Sequence, residues 1–156
     1  MTIQEQEQAT MHALVSASEE NRIARTVLLW LNECPLLPEG AIRYEALETG
    51  KPNMALHLAQ GGYKTKEFIF GGYQAQLRFN LVYRVQPGAS GNKRLRADEA
   101  LDAIGDWASE PGHLPVLGEI TRALRVAVEK RAAVSVAWND GDEDHTITLN
   151  LTYEVI

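Results

Sequence analysis

The sequence predicts an α+β fold dominated by a mostly antiparallel sheet with two long hairpins. Three observations lead there. Residues 73–85 alternate apolar and polar with Val82 the one exception, apolar residues of 124–138 fall on even positions with only Lys130 out of place ahead of an Asp-Gly turn signal, and two helical stretches lie outside these runs.

The first element is a helix. Ser16 and Glu19 have the S-x-x-E spacing of a capping box, and Ile23, Val27, Trp30 and Leu31 recur on one face. Pro35 closes it, because the residue before a proline avoids helical geometry. The pattern of residues 4–15 does not choose between a separate turn, an extension of this helix and loose chain. After the CPLLPEG loop the period changes to two. Ile42, Tyr44 and Ala46 mark a short strand, and Met54, Leu56 and Leu58 mark another.

Gly71-Gly72 supplies two residues suited to the positive φ angles of a type I′ hairpin turn. With those two as the loop, Phe70 pairs with Tyr73 and Phe68 with Ala75, all on one face. Along the second arm Tyr73, Ala75, Leu77, Phe79, Leu81, Tyr83 and Val85 are apolar. Gln74, Gln76, Arg78, Asn80 and Arg84 lie between them, and only Val82 departs from the pattern. Such alternation describes an antiparallel strand buried on one face, about 40 Å long at the usual rise per residue. QPGASGNKR reads as a loop, and a second helix is expected over Asp98–Ser109, with Leu101, Ile104 and Trp107 or Ala108 facing inward, until Pro111-Gly112 ends it.

Residues 120–131 carry helix formers, but Leu124, Val126, Val128, Ala132, Val134, Val136 and Trp138 share even positions. Taking Asp140-Gly141 as a two-residue turn pairs Val136 with His145, Val134 with Ile147, Ala132 with Leu149, Val128 with Tyr153 and Val126 with Val155. Apart from His145, each apolar position meets an apolar or aromatic partner. A one-residue slip destroys that agreement, so the segment is read as the arm of a second long hairpin.

At 156 residues the chain has the size of one domain, expected to span 1–156 with residues 1–15 as an N-terminal extension that need not be tightly packed. A formal charge of −6 argues against general nucleic-acid binding and favours solubility at high copy number. One cysteine, Cys34, excludes an intramolecular disulfide and fits a reducing compartment. The polar, acidic N-terminus has no basic n-region followed by an apolar h-region, so no signal peptide is expected. No apolar run has the length of a membrane span.

Candidate chemistry is sparse. Gly88-Ala-Ser-Gly91-Asn-Lys93-Arg94 lies between a strand and a helix, as a phosphate-binding loop does. Its glycines are too close, however, and Arg94 stands where the hydroxyl residue belongs, so it reads as a surface loop. The acidic run from Asn139 to Asp144 lacks the alternate ligands and flanking helices of a calcium loop, and reads as a solvated hairpin tip. His12, His57, His113 and His145 are scattered, with no metal-ligand spacing. His145 is expected at the edge of the core and Cys34 as a small buried residue. Neither a G-x-S-x-G elbow nor an H-E-x-x-H pair occurs. The chain is therefore read as a non-enzyme with no cofactor and no metal.

VLLWLNECPLL, DWASEPGHLPVLGE and TITLNLTYEV, taken together, resemble the tail terminator or minor capsid family of siphophage-type tails. The matching positions are Trp30, Leu31, Cys34 and Pro35, then Trp107, Leu114, Pro115, Leu117, Gly118 and Glu119, then Tyr153. The N-terminal extension and the loop at 86–95 differ from the family pattern. The resemblance implies a sheet with helices on one face, and a structural virion protein of the tail, assembled in the host cytoplasm. It implies a ring, commonly a hexamer, at the head-proximal end of the tail tube, which stops tube polymerisation and joins tail to head. Implied partners are further copies of the chain, the tail tube protein and a head-completion or connector protein. The resemblance further implies that genomic DNA passes through the lumen of the ring without specific binding, which the acidic balance would suit, and that no membrane is involved. A tail-tube or other connector ring protein is the alternative within the structural class; a small cytosolic enzyme or ligand-binding module is the alternative outside it. The assembly interface is expected to draw on Phe68, Phe70, Tyr73, Arg78, Arg84, Lys93, Arg94, Asp140 and Asp142.

Overall fold

The computed structural model describes residues 13–38 and 40–156, so His12 and most of the N-terminal extension lie outside the described residues. Helix α1, Ala17–Leu31, starts where the Ser16 side chain accepts the N–H of Glu19 at 3.1 Å. The Glu19 carboxylate does not close a box on Ser16 but turns to the sheet, where it accepts the hydroxyls of Tyr73 and Tyr153. At the other end Asn32 exchanges side-chain hydrogen bonds with the backbone of Ile42 and fixes the next segment.

That segment forms β1, only Arg43–Tyr44, which pairs parallel to β2, Asn53–Glu67. The expected alternation from Ile42 to Ala46 is not realised: Ile42 is buried, while Tyr44 and Ala46 are exposed. Strands β3 (Tyr73–Val85), β4 (Thr121–Ala137) and β5 (Glu143–Val155) complete a five-stranded sheet in the order β1-β2-β3-β5-β4, and every pairing except β1 with β2 is antiparallel. Thus the 120–138 segment is a strand, as its period-two pattern predicts.

Helix α2 spans Gly91–Ser109, longer than the expected Asp98–Ser109. Ser90 caps it by accepting the N–H of Lys93 at 3.2 Å. The loop-like composition of residues 88–94 conceals this start, because glycine is a poor helix former and basic residues oppose the helix dipole in a first turn. Here Arg94 is redirected to the carboxylate of Glu143 at 3.0 Å.

Both helices cover one face of the sheet. Ala75, Leu77, Phe79, Leu81, Tyr83 and Val85 of β3 pack with Ile147, Leu149, Leu151 and Tyr153 of β5 beneath Ile23, Val27, Trp30 and Leu31 of α1 and Ala97, Leu101, Ile104 and Ala108 of α2, in one continuous core. Each fully buried side chain of this size contributes roughly 1.5–3 kcal/mol relative to exposure. The opposite face, tiled by Gln76, Arg78, Asn80, Thr148 and Asn150, carries cross-strand hydrogen bonds, Thr148 donating to Asn80 at 2.7 Å and Asn150 to Gln76 at 3.1 Å, while the Asn150 Oδ1 and Thr152 Oγ1 atoms are buried without a partner among the described residues. An uncovered polar face suits an antiparallel sheet.

Both predicted two-residue turns are corrected by the structure, and in the same way. In the first hairpin the Gly71 N–H donates to the Phe68 carbonyl and the Phe68 N–H to Gly72, leaving Glu67 opposite Tyr73 and Lys64 opposite Ala75. In the second, Gly141 donates to Trp138 and Trp138 to Asp142, so Ala137 lies opposite Glu143 and Val136 opposite Asp144. A type I′ turn needs positive φ at both central residues. Asp140 does not provide it: Glu45 is the one non-glycine residue with positive φ among those described. A turn followed by a left-handed glycine needs only Gly141, at φ +96°, or Gly71, at +91°. Register shifts along β4 then carry the pairing further from the expected one, to Val134 opposite His145, Val128 opposite Leu149 and Val126 opposite Leu151.

Candidate functional site

The corrected turns change what the hairpins present. In the predicted register Phe70 faces inward; in the structure Ile69 and Phe70 are 94% and 102% exposed, with Phe68 beside them at 36%. Two large apolar side chains at the summit of a five-residue connection have no neighbours of their own to cover them. The tip is nonetheless firmly based. Gly72, at φ +80°, sits so close to β5 that a Cβ there would fall 2.4 Å from the Val155 carbonyl oxygen. Tyr73 is held by Glu19 and lies under the Lys64 ammonium, 4.4 Å from the ring centre. Lys66 stands over the Phe68 ring at 5.7 Å.

The second apolar surface is the outer half of β4. No strand pairs with the free side of β4 among the described residues. Charges at Glu129, Lys130 and Arg131 occupy its middle, as expected of an edge that resists pairing. From Ala132 to Trp138 charges are absent, and Val134, Val136 and Trp138 are 47%, 39% and 49% exposed. One backbone group of this stretch is covered by a side chain, the Ala132 N–H, which donates to Asp102 of α2 at 3.0 Å.

A buried polar frame fixes this corner. The Arg84 guanidinium pairs with Asp144 at 2.7 and 3.0 Å, with both side chains mostly buried, and the Trp138 indole donates to the same carboxylate at 3.0 Å. Burial pushes the Asp144 carboxyl upward, but hydrogen bonds from Arg84 and Trp138 outweigh it and hold the group below its ordinary range. Asp142 accepts the Gly50 N–H and the Gln86 amide. Beneath them His145, fully buried, lies 2.7 Å from Asp98 and 2.8 Å from Glu143. Sequence reasoning places this histidine at the core edge; its two carboxylate partners come from α2 and from two residues upstream on its own strand, the second of which a period-two pattern does show on the same face.

The nine expected interface residues therefore divide. Phe68 and Phe70 stand at the first tip, Asp140 stands exposed at the second, and Lys93 lies in the first turn of α2. Tyr73, Arg78, Arg84, Arg94 and Asp142 are engaged inside the subunit, Arg78 with Gln60 and Glu129. Sequence reasoning did not single out Ile69, Val134, Val136 or Trp138 as surface residues. Their apolar character signalled core; the turn at Gly71 lifts Ile69 to the tip, and the shift between Val134 and Val136 sets Val136 opposite Asp144 in place of His145.

Other features offer little chemistry. A cleft of about 380 Å³ lies between the start of α2 and the ends of β2 and β3, lined by Pro38, Pro52, Tyr83, Val85, Lys93 and Arg96 among others. Among the described residues no group of three or more His, Cys, Asp or Glu side chains is placed to hold a metal ion. Cys34 is buried, and desolvation raises its thiol pKa. His57 lies on the polar face of β2, opposite Asn80.

The three sequence segments singled out above lean on α1. The Trp30 indole donates to the His113 carbonyl at 2.7 Å, and Trp107 lies between Trp30 and His113, with ring centres 5.4 and 5.0 Å away. Arg22 donates to the Leu117 carbonyl at 2.8 Å, and Tyr153 to Glu19 at 2.8 Å. These positions thus have structural work irrespective of any family. Compared with known proteins, the chain matches no protein-family model and no curated sequence.

Proposed function

We propose that this chain is a ring-forming structural subunit of a phage tail, a tail terminator at the head-proximal end of the tube that stops polymerisation and joins tail to head. The observation that carries the self-assembly part of this reading is the placement of the two apolar surfaces. They are different patches at diagonally opposite corners of one sheet: the β2–β3 tip at the end where β5 finishes, and the β4 segment at the end where β5 begins. Two unlike patches favour heterologous, head-to-tail contact, and such contact closes into a ring when its rotation allows. Exposed apolar clusters on a soluble chain mark interaction surfaces. The specific assignment to a tail, with tube and head-completion proteins as partners and a lumen that passes DNA, rests on the resemblance of the three sequence segments. The acidic balance, −6 per chain, suits a lumen that does not retain DNA.

Light scattering on the purified chain over a wide concentration range, with negative-stain imaging, tests this. The expected result is a closed ring of about hexamer mass that caps isolated tail tubes. A chain that stays monomeric at millimolar concentration and binds no tube overturns the reading.

A further inference from the structure

We infer that the contact between successive copies is made by the β2–β3 tip of one subunit, residues 68–70, lying against the Ala132–Trp138 segment of β4 on the next; this rests on the ring reading above. The sheet's own edges narrow the choices. The free side of β2 is interrupted by the subunit itself: β1 pairs with Ala55 and Leu56, and the incoming chain pairs across Tyr63, with the Val15 N–H donating to Gly62 and the Lys64 N–H to Ala13. A neighbour's β4 therefore cannot extend the sheet along β2 without displacing these segments. Of the exposed large apolar side chains elsewhere on the copy, Ile69 and Phe70 at the first hairpin tip are the most fully exposed, ahead of Val116 and Ile156.

The two surfaces are matched in chemistry as well as in placement. The tip offers Ile69 and Phe70, almost wholly exposed, to a stretch that presents Val136 and Trp138 on the face of Asp144, with Val134, opposite His145, on the other side of the same edge. Trp138 is braced from behind by Asp144 and by the Arg84 guanidinium, 5.4 Å from its ring, so it is a rigid platform for an incoming aromatic side chain. Charge follows the same scheme. Lys64 at the tip is paired with Glu67, which leaves Lys66 as the exposed cation there without an acidic partner among the described residues. In the acidic run after Trp138, Asp142, Glu143 and Asp144 are buried and paired inside the subunit, which leaves Asp140 as the exposed anion. A lysine beside one apolar cluster and an aspartate beside the other are complementary between copies.

The test uses the full-length chain with Cys34 left in place, since it is buried. The double variant F70C/V136C, oxidised under conditions where the wild type assembles, is expected to give a ladder of disulfide-linked multimers, and each single variant none. Reversal of either charge, K66E or D140K, is expected to weaken assembly about tenfold at low salt, and the combined swap K66E/D140K to restore it. Circular dichroism matching wild type shows that each variant is folded. A dimer trapped by V136C alone means β4–β4 pairing and overturns this inference, as does assembly indifferent to F70S and V136S while wild-type rings still form. A wild type that never assembles overturns the ring reading and this contact with it.

Discussion

Replacing Gly72 with alanine tests whether the first hairpin tip is seated where the structure places it. Two separate penalties apply. The residue has φ +80°, where an L-residue costs on the order of 1–2 kcal/mol. The new methyl would also stand 2.4 Å from the Val155 carbonyl oxygen and 3.4 Å from backbone atoms of Ile156, so the end of β5 must move. Overpacking against groups that cannot rotate away costs about 1–3 kcal/mol. The sum is roughly 2–5 kcal/mol. Gly71 supplies the control, because it shares the strained backbone, at φ +91°, but nothing lies within 4 Å of its would-be Cβ. Gly71→Ala should therefore show the conformational penalty alone. Urea unfolding of both variants, followed by circular dichroism, gives the difference directly. Gly72→Ala is expected to be less stable than Gly71→Ala by about 1–3 kcal/mol. Equal stabilities, or the reverse order, would refute the seating of Gly72 against β5 and with it the bulged register of the hairpin.

Asp144→Ala leaves the Arg84 guanidinium buried without its carboxylate and the Trp138 indole without an acceptor; a loss of about 3–5 kcal/mol in urea unfolding is expected. Acid should act on the same group: its folded-state pKa lies below the ordinary value, so the stability it provides is present above about pH 4 and is lost as pH falls through the lowered value. Alkali should act on the tyrosine pair. Burial first, and then the Glu19 carboxylate, push Tyr73 up to about 12 and Tyr153 higher still. The fold thus favours the protonated phenols; their contribution is complete below about pH 10 and declines as pH rises through the folded-state values. For Tyr153 the slope reaches about 1.4 kcal/mol per pH unit, and Tyr153→Phe should flatten the alkaline limb of a stability–pH curve. Leu149→Ala, at a fully buried site in the middle of β5, is expected to cost roughly 2–5 kcal/mol by calorimetry or urea unfolding.

The alternation from Tyr73 to Val85 reveals its buried face correctly because that strand is central and regular: it pairs with β5 without a register shift, so odd positions stay under the helices throughout. The edge strands are less legible. In β4 the shifts between Ala123 and Arg125, Val128 and Lys130, Lys130 and Ala133, and Val134 and Val136 repeatedly alter which side chain faces inward, and no one-letter pattern encodes a bulge. The identity of the segment as a strand survives this, but its partners do not. The hairpin tips fail for a related reason. Asn-Asp-Gly and Phe-Gly-Gly each accommodate more than one turn, and the choice is settled by which residues tolerate positive φ and by the twist of the strands behind them. At the site, the sequence names Phe68 and Phe70 for an interface while its two-residue turn sets them on one face with Ala75 and Tyr73; the turn closed at Gly71 places Phe70 at the exposed tip. The exposure of Val134, Val136 and Trp138 was not legible, since it depends on the register shifts of β4 and on the side of that strand left unpaired among the described residues.

The clamp at the base of the first hairpin has a further consequence. A loop that must order itself before docking loses part of its binding free energy to conformational entropy, by about 0.5–1.5 kcal/mol for each rotamer-rich side chain it immobilises. This tip stands on a base already immobilised by three independent restraints: Gly72 against β5, Tyr73 on Glu19, and the turn bonds that join Phe68 to Gly71 and Gly72. Only the side chains of Ile69 and Phe70 remain to be fixed. The hairpin is pre-organised for contact, and the helix that carries Glu19, far from the tip in sequence, is what keeps it so.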